Sequence, residues 1–114
     1  MSWSVEFLNE TVEAEFSCLP NDIQASLLHI AELIRDYGLE KTGMPYVRHL
    51  QGKLWEMRGK GRSGIARAIY VTVVGKRVVI VRCFIKKTEQ TPKSEIALAL
   101  ERAKEALLYG QEHI

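Results

Sequence analysis

At 114 residues, 46% of them hydrophobic, the chain suits one domain with a single modest core, and residues 1–114 are read as that domain. No apolar run approaches the roughly 20 residues that cross a bilayer, and Met1-Ser2-Trp3-Ser4-Val5-Glu6 lacks the basic start of a secretory signal, so a cytoplasmic protein without membrane contact is expected. The net charge of +2 hides a segregation: residues 1–46 sum to −6, residues 47–93 carry twelve Lys or Arg against only Glu56 and Glu89 and sum to +10, and residues 94–114 return to −2.

Trp3 to Leu8 begins with alternating apolar and polar residues, as a half-buried strand does. Asn9 or Thr11 can cap a short acidic helix through about Leu19, and Pro20 stands where a second helix would begin. There Ile23, Leu27, Ile30, Ile34 and Tyr37 recur at helical spacing, and Gly38 supplies a stop. Together they predict a two-helix hairpin.

From Glu40 to Gly52 the periodicity lapses, and Gly43, Pro45 and Gly52 mark a connection. Three strands are then predicted: Leu54–Arg58, Ile65–Val74 and Arg77–Ile85, the last two joined by a tight turn at Gly75-Lys76. This makes an antiparallel β-meander. Thr91 is placed as an N-cap with Pro92 at the first helical position, followed by an apolar stripe of Ile96, Leu100, Ala103 and Leu107 and a close near Gly110. The expected class is α+β: an N-terminal strand, a helical hairpin, the meander and a C-terminal helix, with the helices packed on one antiparallel sheet.

A cationic block of this size self-repels unless it meets polyanionic phosphate or an acidic protein. Alternation places Glu56 and Arg58 on one face of their strand, with Trp55 and Met57 on the other. Arg67 shares a face with Ile65 and Ile69, an odd site for a guanidinium in an all-apolar core. Arg82, Phe84 and Lys86 share a face of the third strand. Adjacent strands lie about 4.8 Å apart, so cations from three strands can surround one phosphate. Gly59-Lys60-Gly61-Arg62-Ser63-Gly64 reads as a flexible loop suited to tracking a phosphate backbone, but it matches neither a P-loop nor a dinucleotide fingerprint.

Other chemistries find no pattern. His29, His49 and His113 are scattered, leaving His49 as a proton donor or an ordinary surface histidine. Cys18 and Cys83 lack zinc spacing and read as free core thiols. No cofactor and no metal site is expected. A metal-free ribonuclease lets the substrate's 2′-hydroxyl attack the adjacent phosphate, so the protein must stabilise the phosphorane and move two protons. Arg58 and Arg67 suit the first task. Lys86 or Lys87 and the carboxylate Glu56 are candidates for the second, with Glu56 alternatively in a cross-strand salt bridge. Lys53, Lys60, Arg62, Arg82, Lys87 and Lys93 are the expected RNA-backbone contacts.

Leu54-Trp55-Glu56-Met57-Arg58, Ala66-Arg67-Ala68-Ile69-Tyr70, and the run from Phe84 to Ile96 resemble the phage-derived HigB branch of the RelE/ParE toxin superfamily, whose members commonly read LWELR, YRVLY and FVKKTQKTPxxEI. The resemblance spans about residues 3 to 107. It implies a RelE-like fold and a toxin that cuts messenger RNA in the ribosomal decoding site, held inactive by a small antitoxin, often of helix-turn-helix type. By position, Arg58 and Arg67 match residues that face the substrate phosphate, and Lys86 matches the basic end of the last strand. Glu56 stands where a lysine is often found, and no tyrosine follows the KKT segment to stack on a base. Trp55 could replace that tyrosine only if exposed rather than in the core. Two other functions share this pattern: a ParE-like gyrase inhibitor, and a module that only binds nucleic acid or an antitoxin.

Overall fold

The computed structural model describes residues 2–43 and 45–112, with side chains placed as far as residue 108. His113 lies outside the described residues. The elements follow the order β1 (Ser4–Phe7), α1 (Glu10–Ser17), α2 (Asn21–Tyr37), a 3-10 turn (Leu39–Lys41), β2 (Val47–Gln51), β3 (Leu54–Gly61), β4 (Gly64–Val73), β5 (Arg77–Ile85) and α3 (Lys93–Glu112). One five-stranded sheet has the order β1-β5-β4-β3-β2. The expected α+β class stands, in finer detail than the sequence indicated. The expected antiparallel sheet is instead mixed, because the helical hairpin returns the chain so that β1 runs parallel to β5, and the helices cover both of its faces.

Asn9 is the cap of α1, its side-chain oxygen accepting the Val12 N–H at 3.1 Å, which satisfies one of the free donors at that helix start. Ile23, Leu27, Ile30 and Ile34 of α2 bury against Met57, Ala66, Ala68, Tyr70, Val78 and Ile80 on one sheet face. Tyr37, expected in that stripe, is exposed because the helix has by then run past the sheet's cover. On the opposite face, α3 packs Ala99, Ala103 and Ala106 over Leu54, Ile69, Val71, Val79 and Val81. Of the predicted stripe, Ala103 is buried and Ile96 packs against this cluster, whereas Leu100 is exposed and Ala99 and Ala106 take the buried positions; alanines let the helix backbone lie close to the branched side chains of a central sheet.

Two local readings change. Val47–Gln51, read as part of a connection, is a strand paired antiparallel with β3. The glycine-rich segment is no flexible loop: Gly59 and Gly61 are strand residues, and Gly61 pairs with Gly64 around a two-residue turn. A Cβ at Gly59 would sit 2.6 Å from Leu27 Cγ, and one at Gly61 2.4 Å from an Asp22 carboxylate oxygen, so the glycines exist to let α2 approach. Asp22 then clamps the turn, accepting from the Ser63 N–H at 3.1 Å and the Ser63 hydroxyl at 3.0 Å. That backbone donor, with the Ser63 hydroxyl adding to it, holds the Asp22 carboxyl below its ordinary range.

Candidate active site

The site lies on the α3 face of the sheet, beyond the part that α3 covers. Register fixes its composition: Arg48 of β2 opposes Glu56 of β3, and Arg58 of β3 opposes Arg67 of β4, which opposes Phe84 of β5. Side chains two apart on a strand share a face, so Glu56 and Arg58 stand side by side, with Arg48 and Arg67 flanking Glu56 from either neighbouring strand.

Arg67 and Glu56 are both 0% exposed. Arg67 Nε lies 3.4 Å from Glu56 Oε2, and Arg48 Nη2 lies 3.1 Å from Glu56 Oε1. Neither Glu56 Oε1 nor Arg67 Nε finds an aligned hydrogen bond among the described residues, so both contacts are charge attractions more than directed bonds. The segment after β5 folds over this pair. Arg67 Nη2 donates to the Glu89 carbonyl at 2.6 Å, and Nη1 donates to the Thr91 hydroxyl. That hydroxyl lies 3.4 Å from Glu56 Oε2, oriented to donate to it. Burial pushes the Arg67 guanidinium down from its ordinary pKa, opposed by the Glu56 carboxylate.

Several expected roles are thereby corrected. Glu56 is the salt-bridge carboxylate and not an accessible base, because it is fully buried and both oxygens face guanidiniums. Thr91 does not cap α3; Pro92 does, its carbonyl accepting the Ile96 N–H at 3.1 Å, while the Thr91 hydroxyl is turned to Arg67. Arg82 does not face RNA, since Nε and Nη2 donate to Glu95 at 2.7 and 3.0 Å and Nη1 pairs with Glu15 at 3.0 Å. Lys53 borders α3 near Leu100, Glu101 and Lys104, away from the arginines. Trp55 is 39% exposed but faces the other side of the sheet, ring edge against His49 at 5.0 Å, so neither can meet a base or phosphate at Arg58. Cys18 is exposed, whereas Cys83 is a core thiol that burial pushes to about 12.

Other residues do gather near the arginines. Arg58 is half-buried and lines a small hollow with Lys60, Tyr46, Pro45, Ser26 and Ile65. The Lys86 N–H donates to the Ile65 carbonyl at 2.7 Å, which brings Lys86 alongside; its side chain is 11% exposed and sits 3.6 Å from Glu89. Lys87 and Lys93 are exposed around the covering segment, and Arg62 is exposed at the hairpin tip. Sequence reasoning missed Arg48, because β2 looked like a connection. The signal was present in Val47-Arg48-His49, an apolar and basic alternation beside a strand of matching length. Among the described residues no group of three or more His, Cys, Asp or Glu is placed to hold a metal ion, and no helix is long and apolar enough to cross a membrane.

This fold is that of RelE. A RelE-RelB complex from Pyrococcus horikoshii OT3 is similar with a TM-score of 0.56 and 21% identity, over 76% of this chain and 98% of that one. A free Escherichia coli toxin RelE carrying two arginine-to-alanine substitutions is similar with a TM-score of 0.58 and 17% identity, over 90% of this chain and 98% of that one. Curated protein sequences give no match. The chain belongs to the phage-derived Gp49-like protein family (DUF891), whose model matches residues 14–104.

Proposed function

We propose that this protein is the toxin of a type II toxin-antitoxin system, of the HigB-like kind, acting in the cytoplasm as a ribosome-dependent, metal-independent endoribonuclease on messenger RNA. The observation that carries the reading is the cluster of three arginines around one buried carboxylate at the uncovered end of a RelE-like sheet, which leaves positive charge where a phosphate can approach. The neighbour solved with RelB supports an antitoxin partner, here proposed to be a helix-turn-helix protein forming a hetero-oligomer with the toxin.

In the proposed reaction the 2′-hydroxyl attacks the adjacent phosphorus and the 5′ oxygen leaves. Arg58 neutralises charge developing on the non-bridging oxygens. Arg67 acts from beneath, its field adding to the positive potential without a direct contact. With Glu56 committed to ion pairs, Lys86 is proposed to protonate the departing 5′ oxygen while the 2′ proton passes to solvent water, and Lys60, Arg62, Lys87 and Lys93 attract the RNA backbone.

The test is induction in a bacterial host with mapping of new 5′ ends on a reporter messenger with an intact or a mutated start codon. Cuts confined to the translated reporter are expected, and Arg58→Ala should slow cleavage about a hundredfold. Growth arrest without cuts, accompanied by gyrase-DNA cleavage complexes, would replace this reading with a gyrase inhibitor. Binding to RNA without cleavage on translating ribosomes would leave a non-catalytic module.

A further inference from the structure

We propose that Arg48 is a phosphate-binding residue, and that Glu56 is the positioning residue that holds it over the substrate face. The inference rests on the RNA-directed reading above and assigns the contacts within it differently from the sequence pattern, which points to Arg58 and Arg67.

A phosphodiester can be gripped only by donors that remain available. Arg67 presents none to a ligand: Nη1 and Nη2 donate to Thr91 and the Glu89 carbonyl, Nε faces Glu56, and the side chain is fully enclosed. Arg48 is the opposite case. Its side chain is 40% exposed, and Nη2 lies nearest Glu56, at 3.1 Å from Oε1. The guanidinium fork therefore keeps donors directed away from the carboxylate, which a phosphate oxygen can accept.

The register brings this fork to Arg58. Arg48 opposes Glu56, and Arg58 is the next residue of β3 on that face, a diagonal neighbour at roughly 7 to 8 Å between backbones, within reach of long side chains. Glu56 stands between the buried and the accessible arginine, one oxygen toward each. With Lys86 beside Glu89, three guanidiniums and one ammonium stand against the two carboxylates Glu56 and Glu89, an excess of two positive charges. Two are what a phosphorane needs as it gains a second negative charge. The carboxylate at this position then serves as the anchor that keeps Arg48 from swinging into solvent, a task that a lysine there could not perform.

The probe is a fluorescein-labelled, single-stranded 2′-O-methyl RNA, which binds but cannot be cut, titrated by anisotropy at several salt concentrations. Arg48→Ala should weaken binding about tenfold and reduce the slope of log K against log salt by about 0.7, the share of one phosphate contact on a single strand. Arg48→Lys should keep the slope and lose part of the affinity. Lys104→Ala, on the far surface of α3, should change neither. Glu56→Gln separates positioning from simple charge: removing an anion near RNA should tighten binding if only the field matters, whereas loss of the anchor weakens it. Should that variant fail to fold, Glu56→Asp, which keeps the charge but withdraws the carboxylate, is expected to weaken binding as well. An Arg48→Ala slope equal to that of the unaltered protein, or tighter binding by Glu56→Gln, overturns the inference, as does a protein that does not bind the RNA at all. Arg48-dependent binding in a protein that never cuts translated messenger would instead preserve the phosphate site and sink the nuclease reading.

Discussion

Two clusters on the α3 face of the same sheet use the same residue types to opposite ends. Under α3, Arg82 and Arg102 meet Glu15 and Glu95: Arg82 grips Glu95 through two bonds, and Arg102 Nη1 lies 2.9 Å from Glu15 Oε2 and donates to the Val81 carbonyl at 2.9 Å. Charges are matched one for one. At the uncovered end, Arg48 and Arg67 share Glu56, and Arg58 stands beside it on β3. The first arrangement welds α1 and α3 to β5; the second keeps an excess of positive charge that the fold itself does not use. A basic segment is thus not a basic surface, because acidic residues far away in sequence decide which cations stay available.

The comparison breaks most visibly at Glu56. Glu56→Ala leaves Arg67 as an enclosed charge without a counter-ion, and urea denaturation should show a loss of about 3 to 5 kcal/mol. Replacing Glu56 and Arg67 together by leucine should recover most of that stability, since apolar replacement of a buried pair is often neutral, so a stability loss equal to that of Glu56→Ala would contradict the pairing. Gly59→Ala, which drives a methyl into Leu27, should cost about 1 to 3 kcal/mol; an unchanged unfolding midpoint would mean that this end of β3 is as loose as its glycines suggest. At the matched cluster, Glu95→Ala should cost about 1.5 kcal/mol, less than Glu56→Ala because Glu15 still neutralises Arg82.

The smallest effect is in acid. The Asp22 carboxyl is depressed in the folded state by the Ser63 N–H, so its contribution is present above the unfolded value of 3.8 and disappears as pH falls through the lower folded value. Asp22→Asn should therefore lose less stability than the unaltered protein between pH 5 and about pH 2, as followed by thermal unfolding.

Much of this was legible from residues alone. The helices announced themselves through Asn9, Pro20 and the isoleucine spacing of α2, and β4 and β5 through branched runs around Gly75-Lys76. The shared strand face of Glu56 and Arg58 was legible as well. The reading failed where a local signal had a distant cause. Gly59 and Gly61 look like loop residues until Leu27 and Asp22 arrive from α2, and Thr91 looks like a cap until Arg67 claims its hydroxyl. Arg82 looked available for RNA because its partners, Glu15 and Glu95, lie on other elements.

The period of each element, the class of the fold and the position of the cationic block were readable along the chain, because they depend on side chains one to four residues apart. Which cations are neutralised, which glycines packing requires, and that Arg48 rather than Arg67 presents accessible donors emerged with the packed chain. Those outcomes depend on burial and on charges brought together across strands and helices, and burial is a property of the packed chain.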